Sequence, residues 1–153
     1  EAVDGIAHPE VMKRIREHAT MAVAGAESGY GVALFRRIIE GGVMDVVMPD
    51  IKFCGGAGEA VEIGRVLEGI APGSVSMHSP SGPASQLASA HVTAAFEGTR
   101  PLEHAWGEVD WRPSVLEPAE RIESGRIYIP EGPGLGARLD RPTVEARGQR
   151  WTL

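Results

Sequence analysis

Cysteine, positive charge and long apolar runs are all scarce in this chain. Its single cysteine, Cys54, rules out an internal disulfide, as expected in a reducing cytoplasm. The formal net charge is −6, which argues against a nucleic-acid partner because binding to phosphates needs clustered Lys and Arg. No stretch approaches the ~20 apolar residues of a membrane span, and the N-terminus lacks the pattern of a signal peptide. We therefore expect a cytoplasmic protein without membrane or nucleic-acid partners.

What the chain does contain is an ordinary globular composition with a repeating strand-then-helix pattern. It has 153 residues, of which 42% are hydrophobic and 24% charged. After a first helix over Pro9–His18, short apolar runs alternate with helical patterns, which predicts a parallel α/β fold. The predicted strands cover residues 21–24, 45–50 and 74–78, and the helices cover residues 31–40, 59–69 and 85–96. Beyond residue 103 the pattern changes to loops and one hairpin over 121–129, which turns on Ser124-Gly125.

Four charged or titratable residues follow the apolar runs directly: Glu27, Asp50, His78 and Glu103. They recur roughly every 25 residues, about the length of one strand and one helix, which predicts that they lie together on one rim of a parallel sheet or barrel. Each has an ordinary explanation when taken singly. Glu27 would be a solvated carboxylate, Asp50 a turn residue or helix cap after Pro49, and His78 a loop or core histidine. Only together do they indicate an active site.

Two other features are better explained by structure than by chemistry. Gly56-Ala57-Gly58 before a helix is similar to a dinucleotide fingerprint, but Val61 stands where the last glycine should be. Cys54 has no histidine partner that the sequence identifies, which favours a buried structural thiol over a nucleophile. The tryptophans Trp106, Trp111 and Trp151 are expected to be packing residues of the C-terminal tail, although Trp106 follows Glu103 closely enough to border a pocket.

A set of short motifs resembles the C-terminal half of an enolase-superfamily enzyme of the mandelate racemase and muconate lactonizing type. The resemblance covers nearly the whole chain, and its spacing is more specific than any one motif. The matching residues are Glu1, Gly25-Ala26-Glu27-Ser28, Met48-Pro49-Asp50 with Gly55-Gly56, Met77-His78, Leu102-Glu103, Ile127-Tyr128-Ile129-Pro130 and Pro133-Gly134-Leu135-Gly136.

This resemblance implies half of a (β/α)8 TIM-type barrel, in the modified (β/α)7β form. Residues 1–107 would run from the end of strand 4 to strand 8, and residues 108–153 would form a tail that packs on an N-terminal capping domain outside this chain. Half a barrel leaves open sheet edges, so we expect the chain to need the N-terminal half of the enzyme. A homo-oligomer is expected as well.

The resemblance also implies a role for each rim residue. Glu1 and Glu27 would be two of three carboxylate ligands of Mg²⁺, and the third has no counterpart in this chain. Asp50 occupies the place that distinguishes the mandelate racemase branch, where it orients His78 as general base. Glu103 would hydrogen-bond the substrate carboxylate. Lys52 lies off the family's lysine position and is given no role.

These residues point to removal of a proton α to a carboxylate through a stabilised enediolate. Dehydration of a sugar acid to a 2-keto-3-deoxy acid is the favoured reaction. The serines of the Ser79–Pro83 loop offer hydroxyls suited to a polyhydroxy substrate. A racemase or epimerase acting on an α-hydroxy or amino acid derivative would use the same intermediate. A non-catalytic fragment that only assembles with a partner chain is the remaining alternative.

Overall fold

The protein is described by a computed structural model, which covers residues 6–148. Helices alternate with short strands in the first two thirds of the chain, as the sequence pattern predicts. In chain order the elements are α1 Pro9–His18, β1 Ala24–Gly25, α2 Val32–Glu40, β2 Val46–Val47, α3 Gly56–Ile70, α4 Pro83–Ala95, a 3-10 helix Arg112–Val115, β3 Leu116–Glu117, β4 Arg121–Glu123, β5 Arg126–Tyr128, β6 Arg138–Leu139 and α5 Arg141–Arg147.

The helices begin where local chemistry allows them to begin. Both α1 and α4 start on a proline, Pro9 and Pro83, whose missing N–H costs nothing in the first turn. The prediction for α1 is confirmed at both ends. Helices α3 and α4 begin three and two residues earlier than predicted, at Gly56 and Pro83. None of the helices in the described part is both long and apolar enough to cross a membrane.

The strands in the first two thirds of the chain are parallel neighbours in chain order, whereas β3 pairs antiparallel with β6. Ala24 pairs with Val46 and Gly25 with Val47. The third predicted strand joins through the isolated parallel bridges Val47 to Val75 and Asp50 to His78. The ladders are shorter than predicted, and the first strand lies at 24–25 rather than 21–24. Consecutive parallel neighbours with helical connections are the repeating unit of a barrel.

One apolar core lies between these strands and the helices. Helices α2 and α3 contact each other, as do α3 and α4. The largest core side chains are completely buried: Phe35, Met12, Met44, Ile63, Leu67 and Met77.

The C-terminal tail has the hairpin that the sequence predicts. β4 and β5 pair antiparallel, and Ser124 and Gly125 between them both have positive φ, as a two-residue type I′ turn requires. This prediction is confirmed, whereas helix α5 and the antiparallel pair of β3 with β6 were not predicted.

Two of the three tryptophans are exposed in this chain. Trp106 is 86% exposed and Trp111 is also exposed. Their role as packing residues stays a prediction, because the tail is expected to pack on a domain outside this chain. Trp151 lies outside the described residues.

Gly64, in the middle of α3, is required by a close approach of Phe96. A Cβ at residue 64 would lie 2.2 Å from the buried Phe96 ring, whereas a Cβ at Gly69 of the same helix meets nothing within 4 Å. We expect Gly64→Ala to lower the free energy of unfolding by about 1–3 kcal/mol through overpacking. The matched change Gly69→Ala should be neutral or stabilising by up to about 1 kcal/mol through helix propensity. Chemical denaturation of the two full-length variants measures both effects, and equal stabilities would contradict the clash.

Candidate active site

The strands bring the predicted site residues that lie within residues 6–148 to one edge of the sheet. Glu27 follows β1 by two residues, and Asp50 and His78 are bridge partners at the ends of neighbouring strands. Glu103 reaches the same place, because its Oε2 accepts a hydrogen bond of 2.8 Å from the backbone N–H of Ser79. The residues before Glu103 lie beside the predicted strand 74–78, where Ser76 Oγ donates to the Pro101 carbonyl at 2.9 Å. The carboxyl ends of parallel strands therefore form the site.

His78 and Asp50 form a hydrogen-bonded pair. The His78 Nδ1 lies 2.9 Å from Asp50 Oδ2. A carboxylate accepts hydrogen bonds, so Nδ1 carries the proton and donates it to Asp50. Nε2, which keeps its lone pair in the neutral ring, lies 3.8 Å from Glu103 Oε2. The His78 side chain is 17% exposed, enough for contact with a small molecule.

Asp50 is completely buried and remains ionised. Burial by itself raises the pKa of the Asp50 carboxyl, but hydrogen bonds from the Lys52 backbone N–H, the His78 ring and the Lys52 ammonium outweigh this effect, so the pKa lies below its usual range. The distances are 2.8 Å from Lys52 N to Oδ1 and 3.0 Å from Lys52 Nζ to Oδ2. Asp50 therefore presents a fixed negative charge to His78.

The sequence analysis missed the contacts that Lys52 makes with the site. Besides its ion pair with Asp50, its ammonium donates to the hydroxyl of Ser81, three residues after His78. The spacing of two residues between Asp50 and Lys52 could have predicted the backbone contact, because an aspartate commonly accepts a hydrogen bond from the backbone N–H two residues further on. The direction of the lysine side chain follows only from the tertiary structure.

Gln86 is a second polar side chain that sequence reasoning missed. It is 1% exposed on α4, and its Oε1 accepts from Ser79 Oγ at 3.3 Å. Its Nε2 donates to the Glu103 carbonyl at 3.0 Å. A buried amide with these partners holds the segment after His78 and the segment of Glu103 in fixed relative positions.

The serine hydroxyls beside His78 are already bonded within the protein. Ser79 Oγ donates to Gln86, and Ser81 Oγ accepts from Lys52. Ser79 is completely buried, so its hydroxyl is not accessible to a substrate, whereas the Ser81 hydroxyl accepts from Lys52 and can still donate its own proton. The expectation that this loop offers hydroxyls to a polyhydroxy substrate therefore stays a prediction for Ser81.

The predicted metal ligands are only partly within the described residues. Glu27 is half-buried in a turn after β1, and Glu1 lies outside residues 6–148. Within residues 6–148, no group of three or more His, Cys, Asp and Glu side chains lies close enough to hold a metal ion. The Glu27 carboxylate fits Mg²⁺ in chemistry, because Mg²⁺ prefers one or two carboxylate oxygens from the protein. Its role as a ligand stays a prediction.

Cys54 and the glycines after it have structural explanations. The Cys54 side chain is completely buried, and burial raises the pKa of its thiol, which disfavours the nucleophilic thiolate. Gly55 has φ +119°, and a Cβ there would lie 2.8 Å from Glu59 Cγ. The glycine is thus needed to turn the chain into α3, where Glu59 Oε1 in turn accepts from Val32 N at 2.9 Å.

The repeating parallel units, with polar residues at the carboxyl ends of the strands, define this chain as part of a (β/α)8 barrel. It belongs to the Enolase C-terminal domain-like family, which it matches over residues 1–143. This establishes the resemblance to the C-terminal half of the mandelate racemase and muconate lactonizing enzymes.

Among curated relatives, the chain is 32% identical over 137 residues to the D-xylonate dehydratase of Haloferax volcanii, covering 90% of this chain and 33% of that protein. It is 26% identical to the arabinonate dehydratase of Saccharolobus solfataricus, covering 83% of this chain and 34% of the relative. A crystal structure of a mandelate racemase/muconate lactonizing enzyme-like protein from Rubrobacter xylanophilus superposes with a TM-score of 0.84 at 26% identity, covering 94% and 37% of the two chains. The chain thus spans about a third of the length of these proteins.

Proposed function

We propose that this chain is the catalytic half of an Mg²⁺-dependent enzyme that removes the proton α to a carboxylate, and that the reaction is dehydration of a sugar acid. The observation that carries this proposal is the His78–Asp50 pair, whose free Nε2 lies 3.8 Å from Glu103. A base, its orienting carboxylate and a second acid on one strand edge suit proton transfer next to a carboxylate group.

In this proposal His78 is the general base. Neutral His78 takes the α-proton at Nε2 while Asp50 holds the other ring nitrogen protonated. The Asp50 charge also stabilises the imidazolium that forms. Since Glu103 Oε2 accepts from the Ser79 N–H, its other oxygen is the one that would carry a proton and donate it in a hydrogen bond to the substrate carboxylate. Such a bond strengthens as negative charge develops on the substrate oxygens.

Glu1 and Glu27 are proposed to hold the metal together with a third carboxylate outside this chain. When bound there, Mg²⁺ supplies the positive charge that stabilises the enediolate. General-base catalysis contributes only about 10² to 10⁴ in rate, so a base alone cannot account for the reaction. Because Mg²⁺ would stabilise the negative charge while His78 removes the proton, the metal ligands and the base must lie on the same rim.

Dehydration is favoured because curated relatives of this chain are named D-xylonate and arabinonate dehydratase. After the α-proton has moved to His78, the Cβ–O bond breaks and His78 returns its proton to the departing hydroxide, which leaves as water. The resulting enol becomes the 2-keto-3-deoxy acid. One residue can thus serve both steps, whereas racemisation needs a second base on the opposite face of the substrate.

The active centre is proposed to be completed by the N-terminal half of the enzyme. That half would close the barrel, pack as a capping domain on the tail of residues 108–153 and supply the remaining metal ligand. The whole enzyme would then work as a homo-oligomer on a small carboxylate substrate.

The reaction is tested by incubating the full-length protein and Mg²⁺ with a panel of sugar acids. We expect a 2-keto-3-deoxy product from at least one of them, detected by a colorimetric keto-acid assay. A protein with His78→Asn serves as the control for contaminating activity. Loss of optical rotation without any keto product, on an α-hydroxy or amino acid derivative, would replace the dehydratase by a racemase or epimerase. The absence of both would contradict the catalytic proposal.

A further inference from the structure

A buried carboxylate beside a catalytic histidine needs a counter-ion, and the structure identifies it. Asp50 is completely buried and ionised, and a His78 ring that is to act as a base would offer it a hydrogen bond but no charge. An uncompensated charge in the interior is expensive, so a cation must balance Asp50. Lys52 is that cation, with Nζ 3.0 Å from Oδ2.

Lys52 binds both carboxylate oxygens of Asp50. Its backbone N–H binds Oδ1 at 2.8 Å and its ammonium binds Oδ2. This two-point contact prevents the carboxylate from rotating and keeps Oδ2 directed at His78. The ammonium continues to the Ser81 hydroxyl, and Arg112 donates to the Ser81 carbonyl at 2.8 Å. The loop after His78 is therefore held from two sides.

The same arrangement bears on the charge of His78. Lys52 Nζ and His78 Nδ1 both lie about 3 Å from the same oxygen, Asp50 Oδ2, so they are at most about 6 Å apart. Within residues 6–148, the acidic groups within 4 Å of the His78 ring are Asp50 and Glu103. The ionised carboxylate of Asp50 attracts a proton to the ring. Lys52 opposes this attraction, because a protonated His78 would share one carboxylate oxygen with a second cation.

We propose that Lys52 is a positioning residue that keeps His78 neutral. Its positive charge balances the negative charge of Asp50, which leaves the imidazole free to act as a base. Its hydrogen bond to Ser81 holds the loop that follows the imidazole. Without Lys52, the buried charge of Asp50 would be balanced by a proton on His78. The imidazolium cannot accept the substrate proton. This role rests on the proposed function of His78 as general base.

The first experiment measures His78 directly and needs no substrate. The full-length protein has five histidines within this chain, and the His78 ring signal in a ¹H–¹³C NMR titration is assigned by its loss in His78→Asn. We expect Lys52→Met to raise the pH midpoint of the His78 signal by about one unit, because a partly exposed cation at this distance has an effect of that order. Lys52→Arg keeps the charge and should leave the midpoint within a few tenths of a unit of wild type.

Lys13 provides the matched control, since it is the only other lysine in the chain. It lies on the exposed side of α1 and donates to the Gly41 carbonyl at 3.1 Å, away from the site. Lys13→Met removes the same charge from the protein and should leave the His78 midpoint unchanged. If Lys52→Met does not fold, Lys52→Gln gives the same comparison with a polar end group.

The second experiment follows the acid limb of the pH profile of kcat/KM on a substrate found with the sugar-acid panel. The limb should move to higher pH in Lys52→Met, as the NMR midpoint does, and stay in place in Lys52→Arg. An unchanged His78 midpoint in Lys52→Met would overturn the proposal, even if activity falls, since the lysine would then be merely structural. If wild type turns over no sugar acid, the proposed function fails while the titration still decides the role of Lys52.

Discussion

Replacing His78 by Asn should abolish exchange of the substrate α-proton with solvent and leave the fold intact. Asn keeps a group that can donate to Asp50 Oδ2 but has no basic nitrogen in place of Nε2, whose proton-accepting position faces Glu103. Loss of a general base typically costs about 10² to 10⁴ in rate. The measurement is deuterium incorporation at Cα of the substrate in D₂O, followed by NMR, with the full-length protein and Mg²⁺.

The matched control for this variant is His18→Asn. His18 is exposed at the end of α1, where its ring Nδ1 lies 2.8 Å from the Arg14 carbonyl, and it takes no part in the rim. We expect wild-type exchange from this variant and wild-type circular dichroism from both. Undiminished exchange in His78→Asn would show that the base lies elsewhere. A collapse of the fold in that variant alone would instead assign His78 a structural role.

Replacing Glu27 by Gln should remove Mg²⁺ binding and turnover together. The neutral amide keeps the size of the side chain but loses the charge that a hard dication requires. Losing a residue that only supports a ligand already costs about 10- to 100-fold in metal affinity, so losing a carboxylate ligand should cost at least the upper end of that range. Calorimetric titration of the full-length protein with Mg²⁺ measures the affinity independently of any substrate.

Glu62→Gln is the control for charge alone. Glu62 is exposed on α3 and the substitution also removes one negative charge. We expect this variant to bind Mg²⁺ as wild type does. Equal affinities for wild type and Glu27→Gln would exclude Glu27 as a ligand, and the metal would then have to be held by residues outside the described part of the chain.

Local sequence rules were sufficient for α1 and the hairpin, whereas α3 and α4 begin earlier than predicted and α5 was not predicted. Pro9 at the first position of α1 and the apolar spacing behind it predicted that helix at both ends. Ser124-Gly125 predicted the hairpin because few residues tolerate positive φ at both turn positions. The strands were predicted in order but not in extent. Their ladders depend on neighbours across the sheet, and Ala24–Gly25 pairs only where Val46–Val47 lies beside it.

The contacts around the rim were less accessible to sequence reasoning. That Asp50 and His78 meet follows from successive parallel strands ending at one edge. That Lys52 turns its ammonium to Asp50 rather than to solvent depends on a turn geometry which the spacing alone does not specify. The sequence also does not show that the hydroxyls of Ser79 and Ser81 are hydrogen-bonded to Gln86 and Lys52.

By itself the sequence determined the order of strands and helices up to α4, the rim residues Asp50, His78 and Glu103, and the family to which the chain belongs. These depend on the repeat of strands and helices and on the number of residues between motifs, both of which are properties of the sequence alone. The tertiary structure decided which atoms share a hydrogen bond: Nζ of Lys52 and Nδ1 of His78 on one oxygen of Asp50, and Ser79 N–H on Glu103. Such contacts join residues up to 28 positions apart and form only when segments are placed to within a fraction of an ångström, because a hydrogen bond weakens steeply with distance and angle.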